Sequence, residues 1–249
     1  MRSRGQTAPY GPPGEPGDAD LIPRPGRSLE AGYLLMKALL RPALAAWFDW
    51  HIDGTRNLPA EGPAIVAVNH ISYLDPLAVG YALDVNHRRP RFLAKAELFS
   101  APVVGWVVRS ARQIKVDRAG RFALRSLRYA EKALTEGEVV VIFPEGTTTT
   151  NLDMSPGRPK SGVARLALVT GAPVIPCATW GGQWVWTKHL GINPGPGKDV
   201  WIRFGKPVDL GRYEGRADDS QAWKEVTRLV FDEIQVTLAG LKAVKPWTA

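Results

Sequence analysis

The 249-residue sequence predicts an α/β fold: a single domain with a central mixed or largely parallel sheet flanked by helices, preceded by an amphipathic helix. Three observations predict it. Short runs rich in Val and Ile alternate with longer amphipathic runs along most of the chain, as in repeated β-α units. Some of those short runs are apolar at every position, which strands covered on both faces require. The length suits one such domain with a sizeable core.

Residues 1–28 carry Arg2 and Arg4 with no apolar run behind them, and are rich in Pro, Gly and charge. They read as a disordered tail, not a signal peptide. Residues 29–50 are the most apolar long stretch, with Leu35, Leu39, Ala43, Ala46 and Trp50 at helical spacing. Lys37 and Arg41 interrupt it, so it lacks the uncharged span of about 18 residues that a transmembrane helix needs. Pro42 is expected to kink or restart the helix. Trp47, Phe48 and Trp50 gather at one end, as interfacial anchors do. Two readings stay open. The helix lies in a membrane surface with basic groups toward lipid phosphates, or it packs on the core of a soluble domain. On the first reading, 29–50 is a membrane-associating segment and 51–249 is the α/β domain.

Ala64–Val68 reads as a buried strand, introduced by Pro59 and Gly62-Pro63. A helix follows at Leu74–Leu83, then a strand at Arg91–Ala94. Phe99–Ser110 reads as one helix, Ile114–Val116 as a strand, and Arg121–Glu136 as a helix stopped by Gly137. Glu138–Phe143 is the clearest buried strand. Gly162–Thr170 is a helix with Gly171 as its stop signal, and Val174–Ala178 a strand. Gly191–Lys198 reads as a loop, Asp199–Phe204 as a strand, and Ala222–Leu241 as a final amphipathic helix.

The sharpest local feature stands where the first buried strand ends. Asn69-His70-Ile71-Ser72-Tyr73-Leu74-Asp75 places a His five residues before an Asp. Transfer of an acyl group to a hydroxyl needs a base to take the hydroxyl proton, and neutral imidazole suits that task near neutral pH. A carboxylate on the other ring nitrogen fixes the tautomer and stabilises the imidazolium that forms. With His70 on the strand–helix turn and Asp75 one turn into the helix, the two can face each other. Asn69 can brace the loop. By itself the pair is a weak signal, because a His at a strand end is usually structural.

Company strengthens it. Asn69-His70-x4-Asp75 resembles the first motif of the glycerolipid acyltransferases, a family that includes the lysophosphatidic acid acyltransferases. Three further segments are similar to that family in the same order: Gln113–Arg118, Phe143-Pro144-Glu145-Gly146-Thr147, and Val174-Ile175-Pro176. Lys95–Leu98 and Lys160-Ser161-Gly162 resemble smaller patterns. The resemblance implies that His70 is the base and Asp75 its orienting partner. It also implies that Asn69, Lys95, Arg118, Glu145, Gly146, Thr147 and Lys160 form the acceptor site. A guanidinium at Arg118 suits phosphate. Glu145 is read either as an acceptor ligand or as a staple within its own turn.

The family implies direct transfer from a thioester, acyl-CoA or acyl carrier protein, to a lysophospholipid such as 1-acyl-sn-glycerol 3-phosphate, at the cytoplasmic face of the membrane. One departure stands out. Where many members carry an Arg after the Gly-Thr, this chain has Thr147–Thr150. That leaves the acceptor headgroup open, with Lys95, Arg158 or Lys160 as other sources of charge.

The net charge of +8 favours anionic partners. Between Arg88 and Lys132 twelve basic residues face three acidic ones, which reads as a solvated helix face or as a phosphate- or membrane-facing patch. A nucleic-acid-binding protein would explain the charge, but no helix-turn-helix, zinc-finger or RNA-recognition pattern accompanies it. A catalytically idle membrane scaffold of the same fold would not need His70 and Asp75. His51, His87 and His189 lack metal-ligand spacing, so neither a metal nor another cofactor is expected. Cys177 lies in an apolar strand and reads as core. Trp180, Trp184 and Trp186 are read as packing residues or as the wall of an acyl groove.

Overall fold

A computed structural model of the chain describes residues 27–116 and 121–246. Its strands are β1 (Phe48–Asp53), β2 (Ala64–Val68), β3 (Pro90–Lys95), β4 (Ile114–Val116), β5 (Val139–Ile142), β6 (Val174–Trp180), β7 (Trp186–Thr187), β8 (Gly191–Ile192) and β9 (Lys198–Phe204). Its helices are α1 (Arg27–Trp47), α2 (Asp75–Val85), α3 (Ala96–Ser100), α4 (Pro102–Ser110), α5 (Arg121–Thr135), α6 (Gly162–Thr170) and α7 (Ser220–Val244). Seven strands form one sheet in the order β1-β9-β6-β2-β5-β3-β4. Its neighbours run parallel except β6 and β9, so the sheet is mixed and largely parallel, as the sequence predicts.

Period-two geometry sorts the apolar runs between two layers. Ile65, Ala67, Val140 and Val174 face α5, α6 and α7. Val66, Val68, Val141 and Ile175 face α2 and the end of α1. With both faces covered, β2, β5 and β6 are buried at every position. Cys177 is part of this core.

Three expectations are corrected. The amphipathic helix spans Arg27–Trp47, not 29–50, and runs through Pro42; of the tail read at 1–28, residues 1–26 lie outside the described residues and 27–28 open the helix. Residues 48–53 are instead the edge strand β1, parallel to β9, with the alternating burial of a half-covered strand. Phe48 is therefore buried, and Trp50 stacks on Tyr81 at 4.3 Å and donates its indole N–H to the Leu44 carbonyl. Trp47 alone of the three aromatics is exposed. Second, the helix read at 99–110 is two helices. Ala101 is extended (φ −71°, ψ 136°), as a residue before Pro102 prefers, and the chain turns there. Third, Gly191–Ile192 is not loop but pairs with Trp186–Thr187 in a small antiparallel hairpin.

Part of the basic surplus is used inside the fold. Arg91 is buried and forks onto Glu138, both bonds 2.5 Å. Arg88 is buried and donates to the carbonyls of Pro59 and Gly62, and Arg109 donates to Phe99. On α1, Lys37 and Arg41 both turn to Asp84 of α2, at 2.6 and 3.6 Å. These cations hold elements together and do not form one outward patch. Among the described residues, no helix is long and apolar enough to cross a membrane.

Candidate active site

The carboxyl ends of β2, β3, β5 and β6 lie at one edge of the sheet, where open α/β folds bind ligands. β2 delivers Asn69 and His70 there, β5 delivers Phe143–Gly146, β6 delivers Thr179, and β3 ends at Lys95.

His70 Nδ1 lies 3.0 Å from Asp75 Oδ2. That oxygen also accepts the backbone N–H groups of Ile71 (2.7 Å) and Ser72 (2.8 Å). Asp75 is fully buried and opens α2, where its charge suits the helix N-terminus. Two backbone donors aimed at the carboxylate make it an acceptor toward His70, so Nδ1 carries the proton. Nε2 is then the basic nitrogen, on a side chain that retains 15% exposure. Phe143 stacks on the imidazole at 4.3 Å and fixes its plane.

Around this pair the other predicted residues take distinct places. Glu145 is buried and accepts the His70 backbone N–H at 2.9 Å with one oxygen and the Gly157 N–H at 2.6 Å with the other. Both oxygens thus serve the backbone, the arrangement of a staple. Burial raises its carboxyl above the usual range, against those two N–H groups and the charge of His70, which lower it. Asn69 is fully buried, and its amide exchanges hydrogen bonds with the backbone N–H and C=O of Thr179 (2.8 and 3.0 Å). It ties β2 to β6 and has no surface to offer a substrate, so its expected binding role gives way to a bracing one.

Gly146 sits at φ +71°, where glycine is favoured, and Lys160 lies over it. A Cβ at Gly146 would stand 2.9 Å from Lys160 Nζ. The Lys160 N–H also bonds the Pro144 carbonyl, so the lysine is anchored to the same turn. Thr147, Lys95 and Lys160 are exposed at this edge. Arg118 lies outside the described residues.

Four participants were not read from the sequence as site residues. The Ser72 hydroxyl donates toward the carbonyls of Gly182 (2.8 Å) and Trp186 (2.7 Å) and accepts the Leu74 N–H. The Thr179 hydroxyl reaches Asp75 Oδ1 at 3.4 Å. Gly182 packs behind the loop, where a Cβ would come within 2.9 Å of Ser72 Cβ. Phe143 supplies the stacking face. Ser72 was visible inside the His-Asp segment, and Thr179 as the polar residue near the end of an apolar strand. Of the tryptophans, Trp180 is buried and packs edge-on against Trp184, whereas Trp186 is exposed beside Tyr73.

Residues 49–180 match the family model Acyltransferase. The chain belongs to that family. Among solved structures it resembles the 1-acyl-sn-glycerophosphate (LPA) acyltransferase of Thermotoga maritima, with 26% identity and a TM-score of 0.64, over 89% of this chain and 81% of that one. A 1-acyl-sn-glycerol-3-phosphate acyltransferase of Borreliella burgdorferi is 28% identical over 84% of this chain and 80% of its own. A lyso-ornithine lipid O-acyltransferase of Rhizobium meliloti is 29% identical over 71% and 65%. The chain spans 66% of the length of an uncharacterized Mycobacterium tuberculosis protein that it also resembles.

Proposed function

We propose that this chain is an O-acyltransferase of phospholipid synthesis. It takes a fatty acyl group from acyl-CoA or acyl carrier protein and places it on the free hydroxyl of 1-acyl-sn-glycerol 3-phosphate, giving phosphatidic acid. The observation that carries the reading is the His70 Nδ1 to Asp75 Oδ2 bond at 3.0 Å, which leaves Nε2 as the base. Nε2 accepts the acceptor's hydroxyl proton as the oxygen attacks the thioester carbonyl. The C–S bond breaks, the sulfur leaves as thiolate, and His70 returns the proton to it. Asp75 stabilises the imidazolium in between. No metal or other cofactor takes part in these steps. The acceptor phosphate lies against Lys160 and the Gly146 turn, with Thr147 at hand. The enzyme works from the membrane surface, on the cytoplasmic side, where both lipid and thioester are at hand.

A second reading keeps the chemistry and changes the acceptor. The exposed Thr147 and the absence of Arg in Thr147–Thr150 support a lysolipid or glycolipid with another headgroup. The test is purified protein with radiolabelled acyl-CoA and a lysolipid panel, beside His70→Ala. Turnover with lysophosphatidic acid that vanishes in the variant is expected. Undiminished turnover in His70→Ala would overturn the mechanism, and turnover only with other lysolipids would replace the acceptor.

A further inference from the structure

The hairpin formed by β7 and β8 is attached directly to the catalytic loop. The Trp186 carbonyl accepts both the Ser72 hydroxyl and the Tyr73 backbone N–H (2.7 and 3.1 Å). The hairpin base is fixed as well, since Val185 is buried and Lys198 Nζ bonds the Trp184 and Asn193 carbonyls at 2.7 Å each. Yet its outward side chains are apolar and open to solvent: Trp186 is 40% exposed, Leu190 60% and Ile192 62%. Lys188 and His189 stand exposed between them, and no acidic residue occurs between Gly181 and Lys198. Tryptophan, aliphatic side chains and a cation in a stretch free of acidic residues match the headgroup region of an anionic bilayer.

The surface also continues toward α1. The Trp47 indole N–H donates to the Pro194 carbonyl, and the Gly197 N–H bonds the Trp47 carbonyl at 2.9 Å. α1 in turn exposes Leu34, Leu35 and Leu39. Lys37 and Arg41 of that helix are engaged with Asp84, and Lys188 is the charge that the hairpin adds at this end.

We propose that the β7–β8 hairpin docks on an anionic bilayer, with Trp186, Leu190 and Ile192 in the headgroup layer and Lys188 against lipid phosphates. The bonds from Trp186 to Ser72 and Tyr73 then hold the His70 loop at the membrane surface, where an acceptor lipid is presented. The inference rests on the reading of the acceptor as a membrane lipid, but its test does not need turnover.

Cys177 is fully buried, so a thiol dye added to folded Leu190→Cys protein reports on the hairpin. With vesicles of phosphatidylglycerol and phosphatidylcholine, the dye at position 190 is expected to shift to the blue and brighten. The same dye on Val236→Cys, 68% exposed on α7 in the opposite layer, is expected to stay unchanged. No shift at 190, or equal shifts at both positions, overturns the proposal. The double variant Leu190→Ser with Ile192→Ser is expected to bind these vesicles about tenfold more weakly. Its rate on a short-chain lysolipid dissolved as monomers is expected to match wild type. A parallel fall on the dissolved substrate would make the hairpin part of catalysis and overturn docking. So would a wild-type dimer that the double variant abolishes and that vesicles leave intact, since a second copy would then be the occupant. If no lysolipid is acylated, the proposed function fails while the dye still decides this point.

Discussion

The carboxylate of Glu145 holds the backbone N–H of His70 at 2.9 Å, across seventy-five residues of sequence. Its other oxygen holds Gly157, so one buried side chain joins the loop after β2, the turn after β5 and the segment leading to α6. The residue that the sequence puts forward for substrate is spent, in this fold, on the position of His70, the proposed base.

Glu145→Gln tests that assignment. Glutamine has one acceptor oxygen, so one of the two backbone donors faces an NH2 group. The expected loss is about 1–3 kcal/mol of stability, with a lower kcat and a KM that scarcely moves. The pH dependence gives a second check. Burial raises the carboxyl above its ordinary value of 4.5. A group raised on folding contributes stability that is fully present below its unfolded value and is lost as pH rises through its folded one. Wild type is expected to lose this contribution upward from 4.5, and Glu145→Gln is expected to lack the loss. Urea titrations at a series of pH values measure both slopes, and equal slopes would contradict the linkage.

Asp75→Asn should separate chemistry from fold. The two backbone N–H groups aimed at Oδ2 select the amide oxygen for that place, leaving the amide nitrogen near the Thr179 hydroxyl. The loop geometry then survives, but the imidazolium loses its counter-charge. A fall in kcat of about 10²–10⁴-fold is expected, with little change in KM. Steady-state kinetics beside a thermal melt would show it, and an equal fall in folded fraction would point to a structural role alone.

Asn69→Ala should behave in the opposite way. The substitution strands the Thr179 N–H in a dry interior and removes the bond between β2 and β6. Stability should fall by about 2–4 kcal/mol, with the acceptor KM unchanged in the folded fraction. A raised KM at full stability would instead put Asn69 against substrate.

How far the sequence could reach follows from the range of the interactions. The strand Val139–Ile142 and the adjacent Phe-Pro-Glu-Gly turn are local patterns, and both were legible. So was the His70–Asp75 pairing, because five residues around one turn fix it. Asn69–Thr179 and Ser72–Gly182 each span 110 residues, and nothing local marks either pair. The edge strand Phe48–Asp53 was hidden for another reason. Trp50 happens to continue the helical spacing of α1, while its true partner is β9, about 150 residues on. The hairpin escaped because strands of two residues have no periodicity to read.

Lys160→Met bears on the acceptor. The ammonium stands over the Gly146 turn, next to a Thr147–Thr150 run that carries no charge of its own. If the acceptor carries a phosphate there, loss of one charge-assisted contact should raise its KM about tenfold. A neutral lysolipid acceptor should be unaffected. Parallel KM measurements on the two acceptors decide it, and equal effects on both would remove Lys160 from headgroup recognition.

Gly182→Ala is expected to injure the site from behind without touching a reacting atom. A methyl group there would meet Ser72 Cβ at 2.9 Å, Ser72 Oγ at 3.0 Å and Asp75 Oδ1 at 3.2 Å. None of these atoms can retreat easily. Ser72 is bonded to two carbonyls and to the Leu74 N–H, and Asp75 is fully buried with three close donors on Oδ2. The strain should therefore appear as a displaced carboxylate and cost about 1–3 kcal/mol. Activity should fall more steeply than stability, because a small shift of Asp75 moves the imidazole that it orients. Pairing Gly182→Ala with Ser72→Ala removes the contact with Oγ, so the double variant should lose less stability than the two single losses added together. A double variant whose losses simply add would show that the two sites do not press on each other.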